Sequence, residues 1–246
     1  MADLSKNLDT IVERQSASGK PLAIVLAGHN GSGKSTLWYE HLADKLQVPL
    51  INADRMMMSI LPERNPLPTW AHKLRDTDEN WMGIAQKGVQ SFVAQAMAQN
   101  VPFATETVFS YWQQRNDGTY ASKIETIKEL QAAGYFVLLF FVGLGDVGIS
   151  VGRVRTRKEM GGHDVHWKKL EERFPRTQQA IAAALPIADA AILADNSRDM
   201  KHAFTVVRVQ AGKEVLFDIR ATSTPQIIRA WMDIVCGPHV PASDAH

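Results

Sequence analysis

One cysteine, Cys236, stands in 246 residues, so no internal disulfide can form and no cysteine cluster exists for structural zinc or an iron–sulfur centre. Charge of one sign is equally scarce. The 27 Lys and Arg against 26 Asp and Glu leave a net charge of +1, too weak a field for bulk attraction to nucleic acid or an anionic membrane. The longest apolar run, Tyr135 to Leu144, is too short to span a bilayer. The first residues, Met1 to Arg14, are mixed and acidic where a secretory signal is basic and then apolar. These absences predict a soluble cytoplasmic protein with no nucleic-acid and no membrane partner. What is present, 45% hydrophobic and 22% charged residues, is the composition of a globular chain able to close a sizeable core.

Apolar runs of strand length recur at Leu22 to Ala27, Val48 to Ile51, Val101 to Ala104, Tyr135 to Val142 and Ala190 to Ala194. Between them lie helix-like stretches, at Lys34 to Leu46, Thr77 to Asn100, Gly118 to Ala133, Asp146 to Met160 and Val165 to Leu185. Residues 3 to 15 read as a further short polar helix. Alternation of this kind argues for a parallel sheet, and runs that are apolar throughout argue for strands covered on both faces. The expectation is a three-layer α/β domain with a mostly parallel five-stranded sheet. Ala203 to Gln210 and Lys213 to Ile219 flank Ala211-Gly212 as a β-hairpin, and Pro225 to Val235 reads as a closing helix. Residues 203–246 are thus expected as an appendage of the domain formed by residues 1–202.

Gly28-His-Asn-Gly-Ser-Gly33-Lys34-Ser35 fits G-x-x-x-x-G-K-[ST], directly after an expected strand and opening an expected helix. In that context the loop amides of Gly28, Asn30, Gly31, Ser32, Gly33, Lys34, Ser35 and Thr36 converge on phosphate oxygens, and the helix aims its positive end at them. Lys34 would bridge the β- and γ-phosphates of ATP and Ser35 would hold Mg²⁺. The fold expectation narrows to a P-loop NTPase.

Asp54 follows the second strand, where a carboxylate is placed to accept the proton of an attacking hydroxyl, or merely to cap a helix over Arg55 to Leu61. Glu106, with Thr107 after it, ends the third strand at the carboxyl edge where ligands of open α/β sheets bind. It is a candidate Mg²⁺-water ligand or substrate anchor. From Arg153 to Arg176 eight Lys and Arg face four acids, a local net of +4 that leaves −3 for the rest of the chain. Arg153 and Arg157 share a helix face and can present guanidinium groups to phosphate. The Gly161-Gly162 pair between two basic helices suggests a lid over residues 146–176, which His163 could join. Trp70, Trp81 and Trp112 lie near the expected acceptor side, and Asp195-Asn196-Ser197, after the last strand, is a candidate border of the adenine or simply a turn.

Together these segments resemble the zeta-toxin family of P-loop kinases, the toxins of toxin–antitoxin systems and their chromosomal relatives. The likeness spans roughly residues 20 to 200. It rests on the phosphate loop, Asn52-Ala-Asp54, Glu106-Thr107-Val-Phe-Ser110, Arg153-Val-Arg155 leading to Gly161-Gly-His-Asp-Val165, and Arg173-Phe-Pro-Arg176. The resemblance implies transfer of the γ-phosphate of ATP, with Mg²⁺, to the sugar 3′-hydroxyl of UDP-N-acetylglucosamine. In that scheme Asp54 is the base, Glu106 a substrate-binding acid with Thr107 and His163 beside it, and Arg153 a lid arginine. It also implies a possible separate antitoxin. Val108 departs from the family pattern, which has a second threonine there, and His163 takes the place of a second lid arginine. A polynucleotide or other hydroxyl kinase, and an ATP-binding switch without turnover, remain the alternatives at this level.

Overall fold

The computed structural model describes residues 3–63, 67–76, 78–160 and 165–239. Helix α1 (Leu4–Ser18) starts where Asp3 accepts the Ser5 N–H and stops at Gly19 in the left-handed region. It leads into β1 (Leu22–Gly28), buried at every residue. The loop after β1 opens α2 (Lys34–Leu37), which passes through a π-helical turn (Trp38–Leu42) into α3 (Ala43–Leu46). Then come β2 (Leu50–Ile51), α4 (Ala53–Ser59), α5 (Thr69–Asp76), α6 (Glu79–Gln99) and β3 (Phe103–Thr107). A small hairpin, β4 (Trp112–Gln114) and β5 (Tyr120–Ser122), precedes α7 (Ile124–Ala132) and β6 (Phe136–Gly143). Helices α8 (Val147–Glu159) and α9 (Trp167–Ala184) lead to β7 (Ala190–Asp195), and β8 (Thr205–Ala211), β9 (Glu214–Asp218) and α10 (Gln226–Cys236) complete the described chain.

The main sheet has the order β2-β3-β1-β6-β7-β8-β9. Its first five strands are parallel, with Ala27 opposite Thr107 of β3 and Phe141 of β6. Successive residues of each strand alternate between two helical layers. Ala23, Val25, Leu139 and Phe141 pack with residues of α7, α9 and α10, while Ile24, Leu26, Leu138 and Phe140 pack with α1 and the helix after the phosphate loop. Each fully buried Leu, Ile or Phe in those layers contributes about 1.5–3 kcal/mol by removal from water. The expected three-layer α/β architecture is therefore present.

Two expectations need correction. The sheet has seven strands where five were expected, because the C-terminal hairpin is built into it: β8 pairs antiparallel with β7, and β9 with β8. A buried strand such as β7 cannot leave one row of N–H and C=O groups unpaired, and β8 supplies the partners. The helix expected from Gly118 begins only at Ile124. Asp117 and Gly118 instead form a turn, with Asp117 Oδ1 accepting from Thr119 N–H and Oγ1 and Gly118 at φ 81°. That turn closes the β4–β5 hairpin, in which Trp112 stacks on Tyr120 at 4.6 Å.

The hairpin end is locked by a buried ion network. Arg220 Nε and Nη2 donate to Asp218 at 3.0 and 2.8 Å, and Nη1 donates to Asp233 of α10 at 2.7 Å and to the Gly237 carbonyl at 2.6 Å. Arg208 of β8 reaches the same Asp218 at 2.8 Å. Without Arg220 the buried Asp218 carboxylate keeps Arg208 but loses two side-chain hydrogen bonds, and the Gly237 carbonyl loses its donor. Arg220→Ala should therefore lower the unfolding free energy by about 3–5 kcal/mol in urea denaturation; a change below about 1 kcal/mol, the ceiling for an exposed pair, would show the network to be idle.

Candidate active site

The carboxyl ends of the parallel strands meet where β1 is flanked by β3 on one side and β6 on the other, the switch point at which open α/β sheets bind ligands. The phosphate loop leaves β1 there. Gly33 sits at φ 89° as N-cap of α2, a conformation that strains any side chain, and an added Cβ would lie 2.8 Å from Asn196 Nδ2. No side chain caps this helix end, so the N–H groups of its first turn remain directed at the loop's concave side.

Lys34 is buried, and its Nζ donates to the carbonyls of Gly28 at 3.2 Å and His29 at 3.1 Å, with Glu106 Oε1 3.9 Å away. Burial pulls the ammonium pKa down. The carboxylates of Glu106 and Asp54 act upward against that, and the Arg157 charge adds to the fall. Glu106 comes in from the end of β3 and accepts from Ser35 Oγ at 3.2 and 3.3 Å and from Asn52 Nδ2 at 2.6 Å. Asn52 works in two directions, since its Oδ1 also accepts the Arg55 N–H and so caps α4. Asp54 is not the cap. It lies exposed in the first turn of α4, and its field reaches Lys34.

The loop is braced from α8 and α9. Ser150 Oγ donates to the Asn30 carbonyl at 2.7 Å, and Arg153 Nη1 stands 3.5 Å from the Gly31 carbonyl. Burial lowers the Arg153 pKa, and the Asp195 charge opposes that shift. His29 is sandwiched on Phe174 of α9 at 3.9 Å, with Phe141 edge-on at 5.7 Å. Burial, with the Lys34 charge adding, drops its pKa to about 3, so the ring is neutral and contributes no charge to the loop.

A cavity of about 680 Å³ opens over the loop, within the range of small-molecule sites. Its lining joins Gly31, Gly33, Lys34, Ser35, Thr36 and Glu106 to Arg153 and Arg157 from α8. Asn196, which holds the Ser32 carbonyl at 2.9 Å, forms part of the far wall. Gly28 and Asn30 shape the loop behind it, and Ser32 is buried within it. Thr107 stands outside the lining and uses its Oγ1 to accept the Phe109 N–H. His163, with the Gly161-Gly162 hinge, lies outside the described residues. Several lining residues carried no motif: Glu40 and His41 on the π-helical turn, Arg198, Met200, and Phe204, which holds a strained φ of 52° beside Gly33. Among the described residues no cluster of three or more His, Cys, Asp or Glu could hold a metal, and no helix is long and apolar enough to cross a membrane.

The model of the zeta toxin family matches residues 7–220. A Haemophilus influenzae (strain ATCC 51907 / DSM 11121 / KW20 / Rd) relative, described as an uncharacterized protein, is 32% identical over 141 residues, covering 57% of this chain and 84% of its own. Among solved structures, the AvrRxo1-ORF1:AvrRxo1-ORF2 complex crystallised with ATP aligns at TM-score 0.60 and 13% identity over 94% of this chain and 71% of that one. The PezAT chromosomal toxin–antitoxin system of Streptococcus pneumoniae aligns at TM-score 0.52 and 13% identity, covering 98% of this chain and 91% of that one. At such identities the likeness establishes the shared fold.

Proposed function

The chain belongs to the zeta toxin family of P-loop kinases, and from that premise we propose that it transfers the γ-phosphate of ATP to a hydroxyl of a nucleotide sugar resembling UDP-N-acetylglucosamine. The observation that carries this reading is the convergence of Lys34, Ser35 and Glu106 with Arg153 and Arg157 around one cavity, while Asp54, outside the lining, lies close enough for its charge to act on Lys34. In the proposed reaction Lys34 exchanges its loop carbonyls for phosphate oxygens, and the first-turn N–H groups of α2 take others. Arg153 and Arg157 face the charge that develops on the transferred group. Asp54 accepts the hydroxyl proton as the acceptor oxygen bonds to the γ-phosphorus and ADP departs.

The hydroxyl of Ser35 and the carboxylate of Glu106, already in contact, form a hard-oxygen pair suited to Mg²⁺ with its waters and phosphate ligands. When bound, the ion offsets phosphate charge. Glu106→Gln should raise the Mg²⁺ concentration for half-maximal turnover by about 10–100-fold, as loss of an outer-sphere partner does. An unchanged Mg²⁺ dependence would return Glu106 to the acceptor side. A separate antitoxin is proposed as the protein partner, since PezAT is a toxin–antitoxin system.

The deciding experiment incubates the protein with ATP, MgCl₂ and a panel of nucleotide sugars, read by mass spectrometry. The expected product carries one added phosphate on the sugar. Phosphate appearing on oligonucleotide ends, with strong salt dependence, would favour a polynucleotide kinase. ATP bound without any phosphorylated product would favour a switch.

A further inference from the structure

A second set of buried polar groups, unused in the reaction above, gathers where α10 meets the end of β7. Asp195 closes β7 with its side chain wholly withdrawn from solvent, a placement that demands hydrogen-bond partners for a carboxylate. Its Oδ1 accepts from Trp231 Nε1 at 3.0 Å and from Ser197 Oγ at 2.6 Å. Oδ2 accepts the Ser197 N–H at 3.1 Å and stands 3.9 Å from Arg198 Nε. The indole is tightly seated. It lies edge-on to Phe141 at 5.7 Å, and a Cβ added at Gly143 would come within 2.7 Å of it.

Asp195 is joined in sequence and in charge to the nucleotide cavity. Asn196 holds the phosphate loop through the Ser32 carbonyl, Arg198 lines the cavity, and the field of Asp195 reaches Arg153. Helix α10 itself lies beyond residue 220, where the match to the family ends.

From this arrangement we infer that Trp231 is a positioning residue of the nucleotide site: its indole N–H fixes the Asp195 carboxylate, and through it the Asn196–Arg198 wall. Without that donor, Asp195 Oδ1 retains only Ser197 among the described residues. The carboxylate then turns toward Arg198 or Arg153 and draws a guanidinium away from the bound phosphates. Nothing in the packing of α10 alone requires this, because a phenylalanine would fill much of the same space.

The inference rests on the cavity taking ATP, and the test separates the two. Full-length wild type, Trp231→Phe and Ile228→Ala are titrated calorimetrically with a non-hydrolysable ATP analogue and MgCl₂, alongside thermal unfolding. Trp231→Phe should weaken analogue binding about five- to twentyfold, the share of one charge-assisted hydrogen bond expected to reach the ligand. Ile228, fully buried on the same helix, makes no side-chain hydrogen bond; its truncation should lower the unfolding midpoint and leave Kd within about twofold, since a cavity acts on stability. Wild-type binding with an unchanged Trp231→Phe, or with equal weakening in Ile228→Ala, overturns the inference alone. Absence of binding by wild type overturns the nucleotide reading, and this inference with it. Should Trp231→Phe not fold, Ser197→Ala removes the other donor to Oδ1 and carries the same expectation and the same overturning result.

Discussion

Lys34→Ala is expected to lower kcat/KM by about 10²–10⁴-fold and to weaken ATP binding by a similar factor. The ammonium is buried and rests on two loop carbonyls, with Glu106 as its nearest carboxylate. Burial has already disfavoured its charge, so the group is held ready for a stronger anion than the one it faces. Two charge-assisted hydrogen bonds to phosphate oxygens, at about 1.5–3 kcal/mol each, amount to about two to four powers of ten. Stability should behave differently. The substitution removes a desolvated charge, and Glu106 keeps Asn52 and Ser35 as donors, so the urea midpoint should move little. Calorimetric titration with ATP, steady-state kinetics and denaturation together check the prediction; an unchanged ATP affinity would refute the loop's role.

The parts of this site that could be read in the sequence are those whose chemistry is local. Gly28 to Ser35 declares itself because glycines, a lysine and a serine at fixed spacing between strand and helix do one job. The parallel strands are legible because burial on both faces leaves unbroken apolar runs. Asn52 was not legible as a functional residue. Its two tasks, capping α4 and donating to Glu106, join groups 54 positions apart, and only the pairing of β2 with β3 brings them together. The wall formed by Asn196, Arg198 and Phe204 is similarly non-local. It depends on β8 adding to β7, which the hairpin pattern at residues 203–219 announces as a hairpin without saying what it pairs with. Asp117-Gly118 is a different case. That dipeptide is a strong hairpin signal, but the strands it joins are three residues long, too short to show a period, and the helical run behind them dominates the reading. The π-helical turn that brings Glu40 and His41 to the cavity has no sequence signature.

Asp54→Asn is expected to leave ATP affinity unchanged and to reduce turnover by about 10²–10⁴-fold, the contribution of a positioned general base. The alternative role for an aspartate after a strand is to cap the following helix, and here Asn52 does that by accepting the Arg55 N–H. The two roles therefore separate by residue. Asn52→Ala should cost about 1 kcal/mol of stability for the lost cap and leave Glu106 without its shortest donor, whereas Asp54→Asn should leave the unfolding midpoint in place. Asp54 is exposed on the first turn of α4, yet close enough for its charge to act on Lys34, so the side chain combines solvent access with proximity to the phosphate loop. An amide of the same shape keeps the packing and loses the ability to take a proton, so the defect should fall on kcat. A variant with near-normal turnover would remove Asp54 from the chemistry, and because Glu106 is already committed to Ser35, Asn52 and Lys34, it would leave the hydroxyl without a base among the carboxylates whose charge reaches Lys34.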